Sequence, residues 1–168
     1  LLVDESRLSI YHGVDLTSDL SHLSDNQHKM LSLLIDASKI MDDLFWKQAF
    51  FEDKDAFLSS ISDEKVRHFA AINYGPWDRL NGDTPFLSGY EDKALGAEFY
   101  PHDMEKEEFA TADFGDKQGL YSMVKRDEAG NLYSVPYSEA FKSELMKASD
   151  LLKKASELAE DESFKQYL

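Results

Sequence analysis

The residues that could do chemistry are five histidines and a large excess of acids. His12, His22, His28, His68 and His102 show no His-Glu-x-x-His or His-x-x-x-His spacing. Two ligands one helical turn apart are what such sites need to converge on one zinc ion. His22 and His28 are six residues apart, too far for a single turn. No metal ligand is therefore assigned. The adjacent carboxylates Asp42-Asp43, Glu91-Asp92 and Glu107-Glu108 diverge on a helix instead of facing one another, so they do not form an acid/base pair. No catalytic residue is assigned either.

Phosphate-loop and nucleophile-elbow patterns are missing, as is the Gly-x5-Glu-x7-Arg-Glu string of a Nudix box. The most informative stretch is Asn73–Pro101. It holds six aromatic residues, three of the four prolines and four of the eight glycines. A connection this long is functional or disordered, and disorder requires little apolar surface. The stretch reads as an ordered loop pinned by its aromatics. Trp77-Asp78-Arg79 is its sharpest pattern, and two readings stay open. In the structural one, Trp77 plugs the core while Asp78 and Arg79 pair with each other and with loop backbone. In the functional one, Trp77, Tyr90 or Tyr100 lines a peptide-sized groove, Arg79 faces a carboxylate, and Asn73, beside Tyr74, hydrogen-bonds an extended substrate backbone.

The elements that must hold this loop are mostly helical. Residues 1–24 form an irregular lead-in that packs a few leucines on the body. Arg7–Tyr11 alternates briefly, as a short extended piece would. Ser24-Asp25-Asn26 supplies capping oxygens, and a helical period runs from there to about Phe51, with Leu31, Leu34, Ile35, Ser38, Met41, Phe45 and Ala49 on one face. Leu44, Trp46 and Phe50 widen that stripe. Asp53 caps a short helix, and Asp63 precedes another with Val66, Phe69, Ala70 and Asn73 inward, ending near Gly75-Pro76. Asp103 is an N-cap for Met104–Ala110. Leu120–Arg126 and Leu132–Val135 flank Asp127–Asn131 and predict a β-hairpin. A second long helix opens at Pro136-Tyr137 with Leu145, Leu152 and Ala159 repeating every seven residues; one more turn follows Asp161-Glu162-Ser163. The expected fold is α+β, mostly α: two long helices, several short ones, one hairpin and a long ordered loop in a single domain over 1–168.

Composition bounds the partners. A net charge of −15 argues against nucleic acid and anionic membrane surfaces. Nine acids and two lysines crowd Glu91–Asp116. The absence of cysteine excludes thiolate metal sites and leaves the compartment open between cytoplasm and periplasm. The chain opens Leu-Leu-Val-Asp without an initiator Met and stops on Tyr-Leu, which reads as a piece cut from a longer protein.

Four strings carry a resemblance: M-D-D-L-F-W-K-Q-A from Met41, N-Y-G-P-W-D-R-L-N-G-D-T-P-F from Asn73, L-G-A-E-F-Y-P-H-D-M-E-K-E-E-F from Leu95, and Y-S-M-V-K-R-D-E-A-G-N-L-Y-S-V-P-Y from Tyr121. From about Leu23 to Leu168 the chain resembles the N-terminal portion of bacterial zinc-dependent hydrolases of the dipeptidyl peptidase III family of metallopeptidases. In a related branch that region follows a Nudix domain. The resemblance implies a two-lobed enzyme with a substrate cleft between the lobes. It also implies a zinc ion on a His-Glu-x-x-(x)-His helix and a later Glu-bearing helix, neither found in these residues. On that basis this chain is expected to be a non-catalytic part forming one wall of the cleft, with no cofactor of its own and zinc in the rest of the protein. Its partners would be the remainder of its own polypeptide and a peptide substrate, met through Asn73, Tyr74, Trp77, Arg79, Tyr90 and Tyr100. The alternative is a free-standing acidic helical interaction module.

Overall fold

The structure, a computed structural model, describes residues 2, 4–50 and 53–168. Its elements run α1 (Asp25–Ala49), α2 (Lys54–Ser60), α3 (Glu64–Asn73), β1 (Trp77–Asp78), β2 (Thr84–Pro85), α4 (Lys106–Thr111), β3 (Ser122–Arg126), β4 (Leu132–Pro136), α5 (Tyr137–Ala140), α6 (Lys142–Leu158) and α7 (Glu162–Tyr167). This is the expected α+β, mostly helical class. The strands pair antiparallel as two separate hairpins, β1 with β2 and β3 with β4. The β3–β4 pair is the one legible in the sequence. The β1–β2 pair is only two residues a side and has no alternating pattern, so the long loop hid it. The chain gathers into two compact units. One joins residues up to Val14 with Trp46–Pro136; the other joins Asp15–Phe45 with Tyr137–Leu168.

The first unit is built on aromatics. Trp46, Phe50, Phe57, Ile61, Val66, Phe69, Ala70, Trp77 and Phe86 form one buried cluster, with Leu8, Tyr11, Tyr74 and Tyr90 packed against it. Phe50 sits at its centre, within 4.6 Å of the Phe57 ring and 5.7 Å of the Trp77 ring. The short helices are capped as their sequence dictates. Asp53 accepts from the Ala56 amide, and Asp63 accepts from Lys65 and Val66. Helix α3 buries Val66, Phe69, Ala70 and Asn73, the face expected of it. It ends on Tyr74, not on glycine: Tyr74 takes the left-handed conformation at φ 54°. Gly75 follows at φ 143°, where a Cβ would lie 3.2 Å from the Trp77 ring. Only glycine lets the chain turn that close to the indole.

The lead-in differs from the expected extended piece. Glu5–Ser9 is a 3-10 turn, with Asp4 accepting from the Ser6 amide. The turn forms because Arg7 reaches inward to Asp78. Its Nε and Nη2 donate to Asp78 Oδ2 at 3.0 and 2.7 Å, and Asp78 is fully buried. Tyr11 donates to Asn73 Oδ1 at 3.1 Å, and the Leu2 amide donates to the Phe86 carbonyl at 2.8 Å. Leu8 joins the body as expected, while Leu16 is 92% exposed.

In the second unit, α1 begins with a capping box: Ser24 Oγ accepts from the Gln27 amide while Gln27 Oε1 accepts from the Ser24 amide. The expected end of this helix at Phe51 lies outside the described residues. Its buried positions are Ala37 and Leu44 here, with Trp46 in the first unit, where Phe50 follows just past the helix end. Ile35, Met41 and Phe45, expected inside, are 56%, 43% and 43% exposed. The apolar stripe is wider than the surface available to cover it, and the Ala37–Leu44 side is the one covered. The second long helix is broken at Phe141, whose φ of −120° and ψ of 28° separate α5 from α6. The buried seven-residue repeat is Phe141, Ala148, Ala155, and not Leu145, Leu152, Ala159, which are half-buried. Small side chains on the seam allow close packing, and the leucines flank it. The last turn is α7, where Asp161 accepts from the Phe164 amide at 2.7 Å.

Removing the guanidinium would leave a buried carboxylate without its countercharge, a loss of about 3 kcal/mol or more in the interior. Arg7→Met is therefore expected to lower the unfolding free energy of the first unit, read from urea melts, by an amount of that order. Asp78→Asn, which still accepts from the Leu80 amide, is expected to cost less. Equal stability of Arg7→Met and the parent chain would show that the ion pair contributes nothing.

Candidate functional site

The loop that the sequence singled out is ordered along its length, with two of its six rings buried and Tyr100 exposed. Trp77 is 6% exposed and Phe86 is fully buried. Backbone bonds tie the loop down at intervals. The Phe86 amide donates to the Pro76 carbonyl at 2.9 Å, Glu98 to Gln48 at 3.1 Å, and Val124 of β3 to Phe99 at 2.9 Å. A Cβ on Gly96, at φ 81°, would sit 2.5 Å from the Tyr100 ring, so the second half of the loop also needs a glycine where an aromatic crosses it.

A cavity of about 420 Å³ opens in this loop, walled by Trp77 and Tyr90 and edged by Glu91, Lys93, Glu98 and His102. The Trp77 indole N–H donates to the Glu91 carbonyl at 2.9 Å, which fixes the ring plane. Lys93 Nζ lies 5.8 Å from the centre of that ring and 3.6 Å from Asp83 Oδ1. His102 Nε2 and Glu98 Oε1 are 2.9 Å apart. The wall is thus an aromatic plane bordered by carboxylates and one lysine. It suits a ligand with an apolar or cationic side chain and amide groups, of the size of a short peptide segment.

The six sequence candidates separate into three groups. Trp77 and Tyr90 line the cavity together. Asn73 and Tyr74 stand behind it and hold it in place. The Asn73 amide is 2% exposed and fully engaged: Nδ2 donates to the Phe69 carbonyl at 2.9 Å, and Oδ1 accepts from Tyr11 and from the Arg79 amide at 3.0 Å. Its hydrogen bonds go to the loop in this structure, not to an extended substrate. Tyr74 packs its ring 5.0 Å from Trp46. Arg79 and Tyr100 lie apart from the cavity lining. Arg79 is exposed, and among the described residues its guanidinium has no hydrogen bond or ion pair. The expected Asp78–Arg79 pairing is replaced by Asp78–Arg7, because Asp78 points into the core while its neighbour points out. Tyr100 packs edge-on against Phe109 at 5.9 Å.

Sequence reasoning missed Lys93, Glu98 and His102 in the cavity. The one available signal was the four-residue spacing of Glu98 and His102, which Pro101 disguises by ruling out a helix. It also missed a clamp beside the loop. Arg126 on β3 makes a two-pronged contact with Glu108 of α4 at 2.5 and 2.8 Å, reaches Asp103 at 3.0 Å, and donates to the Gly130 carbonyl at 2.9 Å. Asp103 does not cap α4 as expected, since the guanidinium takes its carboxylate. Its helix starts two residues later, behind Glu105, without a side-chain cap. Hydrogen bonds from Arg126 hold both carboxyls below the usual carboxylate range and push the guanidinium pKa up.

A catalytic zinc ion needs at least three converging protein ligands. Among the described residues no group of three His, Cys, Asp or Glu side chains could hold a metal ion, and the His102 ring lies against the Glu98 carboxylate. The described residues do not bring together the ligands of a catalytic zinc ion.

In class, this is a mostly helical α+β chain, and the solved structures it matches are those of peptidases. It superposes on the DPP III of Caldithrix abyssi with a TM-score of 0.87 at 33% identity, covering 96% of this chain and 33% of that one. It superposes on the dipeptidyl-peptidase III of Corallococcus sp. strain EGB with a TM-score of 0.86 at 28% identity, again covering 33% of the neighbour. Among curated proteins it is 30% identical to Nudix hydrolase 3 of Arabidopsis thaliana over 225 aligned residues, 98% of this chain and 29% of that protein. No protein-family model matches it. The resemblance carried by the four sequence strings is therefore present in the fold as well. The chain spans about a third of the length of the relatives it matches.

The clamp gives a pH dependence with a definite sign. Both carboxyls are depressed in the folded chain, so their contribution is full above the ordinary carboxylate range and is lost as pH falls through their folded values. Amide exchange in β3, β4 and α4, corrected for the intrinsic rate, is expected to accelerate on acidification. In Arg126→Met it should be fast at every pH. An unchanged acid profile in that variant would remove the clamp from the explanation.

Proposed function

We propose that this chain is a non-catalytic part of a zinc-dependent hydrolase of the dipeptidyl peptidase III kind, corresponding to the N-terminal part of such enzymes. In this reading it forms one wall of a peptide cleft. Trp77 and Tyr90 contact substrate, and Arg79 and Tyr100, exposed beside them, meet either the peptide or the catalytic lobe. Asn73 and Tyr74 position the wall. Zinc and the catalytic residues belong to polypeptide outside these 168 residues, and that polypeptide is the principal partner.

The observation that carries the reading is the match to one third of two peptidase chains at TM-scores of 0.87 and 0.86. The aromatic cavity supports it with a surface of the right size and chemistry for a peptide.

A titration of the isolated chain with short unstructured peptides tests it. Chemical-shift changes are expected at the Trp77 indole N–H and around Tyr90, and Tyr90→Ala should weaken them. Elemental analysis is expected to find no stoichiometric zinc, and a dipeptidyl naphthylamide should remain intact. One tightly held zinc per chain, or peptide shifts that avoid the Trp77 wall, would defeat the proposal.

A further inference from the structure

The tip of the short β1–β2 hairpin carries Asn81-Gly82 between Asp78 and Thr84. Asn81 is the last residue of a 3-10 turn over Arg79–Asn81; it is exposed, and among the described residues its carboxamide makes no hydrogen bond. Gly82 follows in the left-handed conformation at φ 65°, with nothing within 4 Å of where a Cβ would stand. The tip is restrained by a ladder of two residue pairs, by the Asp83 amide donating to the Asp78 carbonyl at 3.0 Å, and by Thr84 Oγ1 donating to the Asn81 carbonyl at 2.7 Å. None of the other three asparagines precedes a glycine, although Asn26 and Asn131 are exposed as well. Asn26 is in the first turn of α1 before Gln27. Asn73 is 2% exposed with both amide atoms bonded. Asn131 donates to Asp127 and precedes Leu132.

From this contrast we infer that Asn81-Gly82 is a site of spontaneous self-modification in the loop, converting asparagine to aspartate and isoaspartate. The Gly82 backbone nitrogen gives up its proton to base and attacks Asn81 Cγ. A nitrogen–carbon bond forms, the Cγ–NH2 bond breaks, and the amide leaves as ammonia with a proton from solvent, giving a cyclic imide. Water then adds to one of the two imide carbonyls. Opening at Cγ restores an ordinary backbone with aspartate; opening at the main-chain carbonyl gives isoaspartate. No oxidant or enzyme is required, only water. The attack needs rotation about the Asn81 Cα–C bond and its side chain, which the open space and the missing Cβ at Gly82 permit.

The consequence lies in the loop wall. A new carboxylate appears beside Asp83, which already faces Lys93 at 3.6 Å. Isoaspartate adds a methylene to the main chain between Asp78 and Thr84. That shifts the Asp83 amide off the Asp78 carbonyl and breaks the two-pair ladder. This inference is independent of the proposed peptidase role.

The test is ageing of the intact chain at mildly alkaline pH and body temperature, followed by trypsin digestion. The peptide Leu80–Lys93 is expected to gain the mass of an NH-for-O exchange and to split into two isomers. One of them should be a substrate for isoaspartyl methyltransferase. Peptides bearing Asn26, Asn73 and Asn131 should lag behind, and Asn81→Gln should abolish the change. In the aged fraction the Asp83 amide is expected to exchange faster. If Leu80–Lys93 stays unmodified in the folded chain while converting in denaturant, the turn shields the site and the inference is wrong. Equal conversion at all exposed asparagines would overturn it too.

Discussion

Burial of Trp77 and Phe86 in the same apolar cluster as Phe50 and Phe69 is the constraint on which the first unit rests. Each such ring removed from water contributes roughly 1.5–3 kcal/mol, and these two flank the open end of one small hairpin, one from each strand. A segment with little regular structure can hold a fixed shape on those terms. Its backbone is anchored by side chains, not by a ladder. The rest follows from the need to accommodate the rings. Gly75 lets the chain turn against the indole, Tyr74 accepts a left-handed backbone, and Asn73 spends its amide on closing the turn.

Burying the rings also draws Asp78 inside, and a buried carboxylate requires a partner. Arg7 supplies it from the far end of the chain. The lead-in is thereby stitched to the loop by the ion pair, by Tyr11 on Asn73 and by Leu2 on Phe86. The cavity wall is thus held from behind by a segment with no obvious function of its own. A similar arrangement recurs at Arg126, where one guanidinium gathers α4, the preceding turn and the β3–β4 hairpin. In both places a single arginine fork takes the part that regular secondary structure would otherwise play.

These restraints bear on the cleft-wall reading. A surface meant to meet a substrate benefits from being fixed before the substrate arrives, since ordering it on binding would cost affinity. Trp77 has its indole N–H committed to Glu91, an edge-on contact with Phe50 and Lys93 over its ring, which leaves little freedom to lose. The exposed aromatic and apolar side chains on the loop, Leu80, Leu95 and Tyr100, contrast with that fixed wall.

Local chemistry was legible in the residues themselves. The caps at Ser24 and Asp53, the inner face of α3, the β3–β4 hairpin and the ordered aromatic loop all follow from groups that interact within a few residues, where spacing alone determines geometry. What the chain order conceals is which of several eligible partners wins. Asp78 could pair with Arg79 and pairs with Arg7. Asp103 could cap a helix and binds Arg126. The apolar stripe of α1 could bury Met41 and buries Leu44, and the seven-residue seam of α6 falls on Ala148 and Ala155 in place of the leucines. Each choice depends on groups distant in sequence arriving at the same place. Competition between near-equal local options is decided by burial, which exists only once the chain has folded.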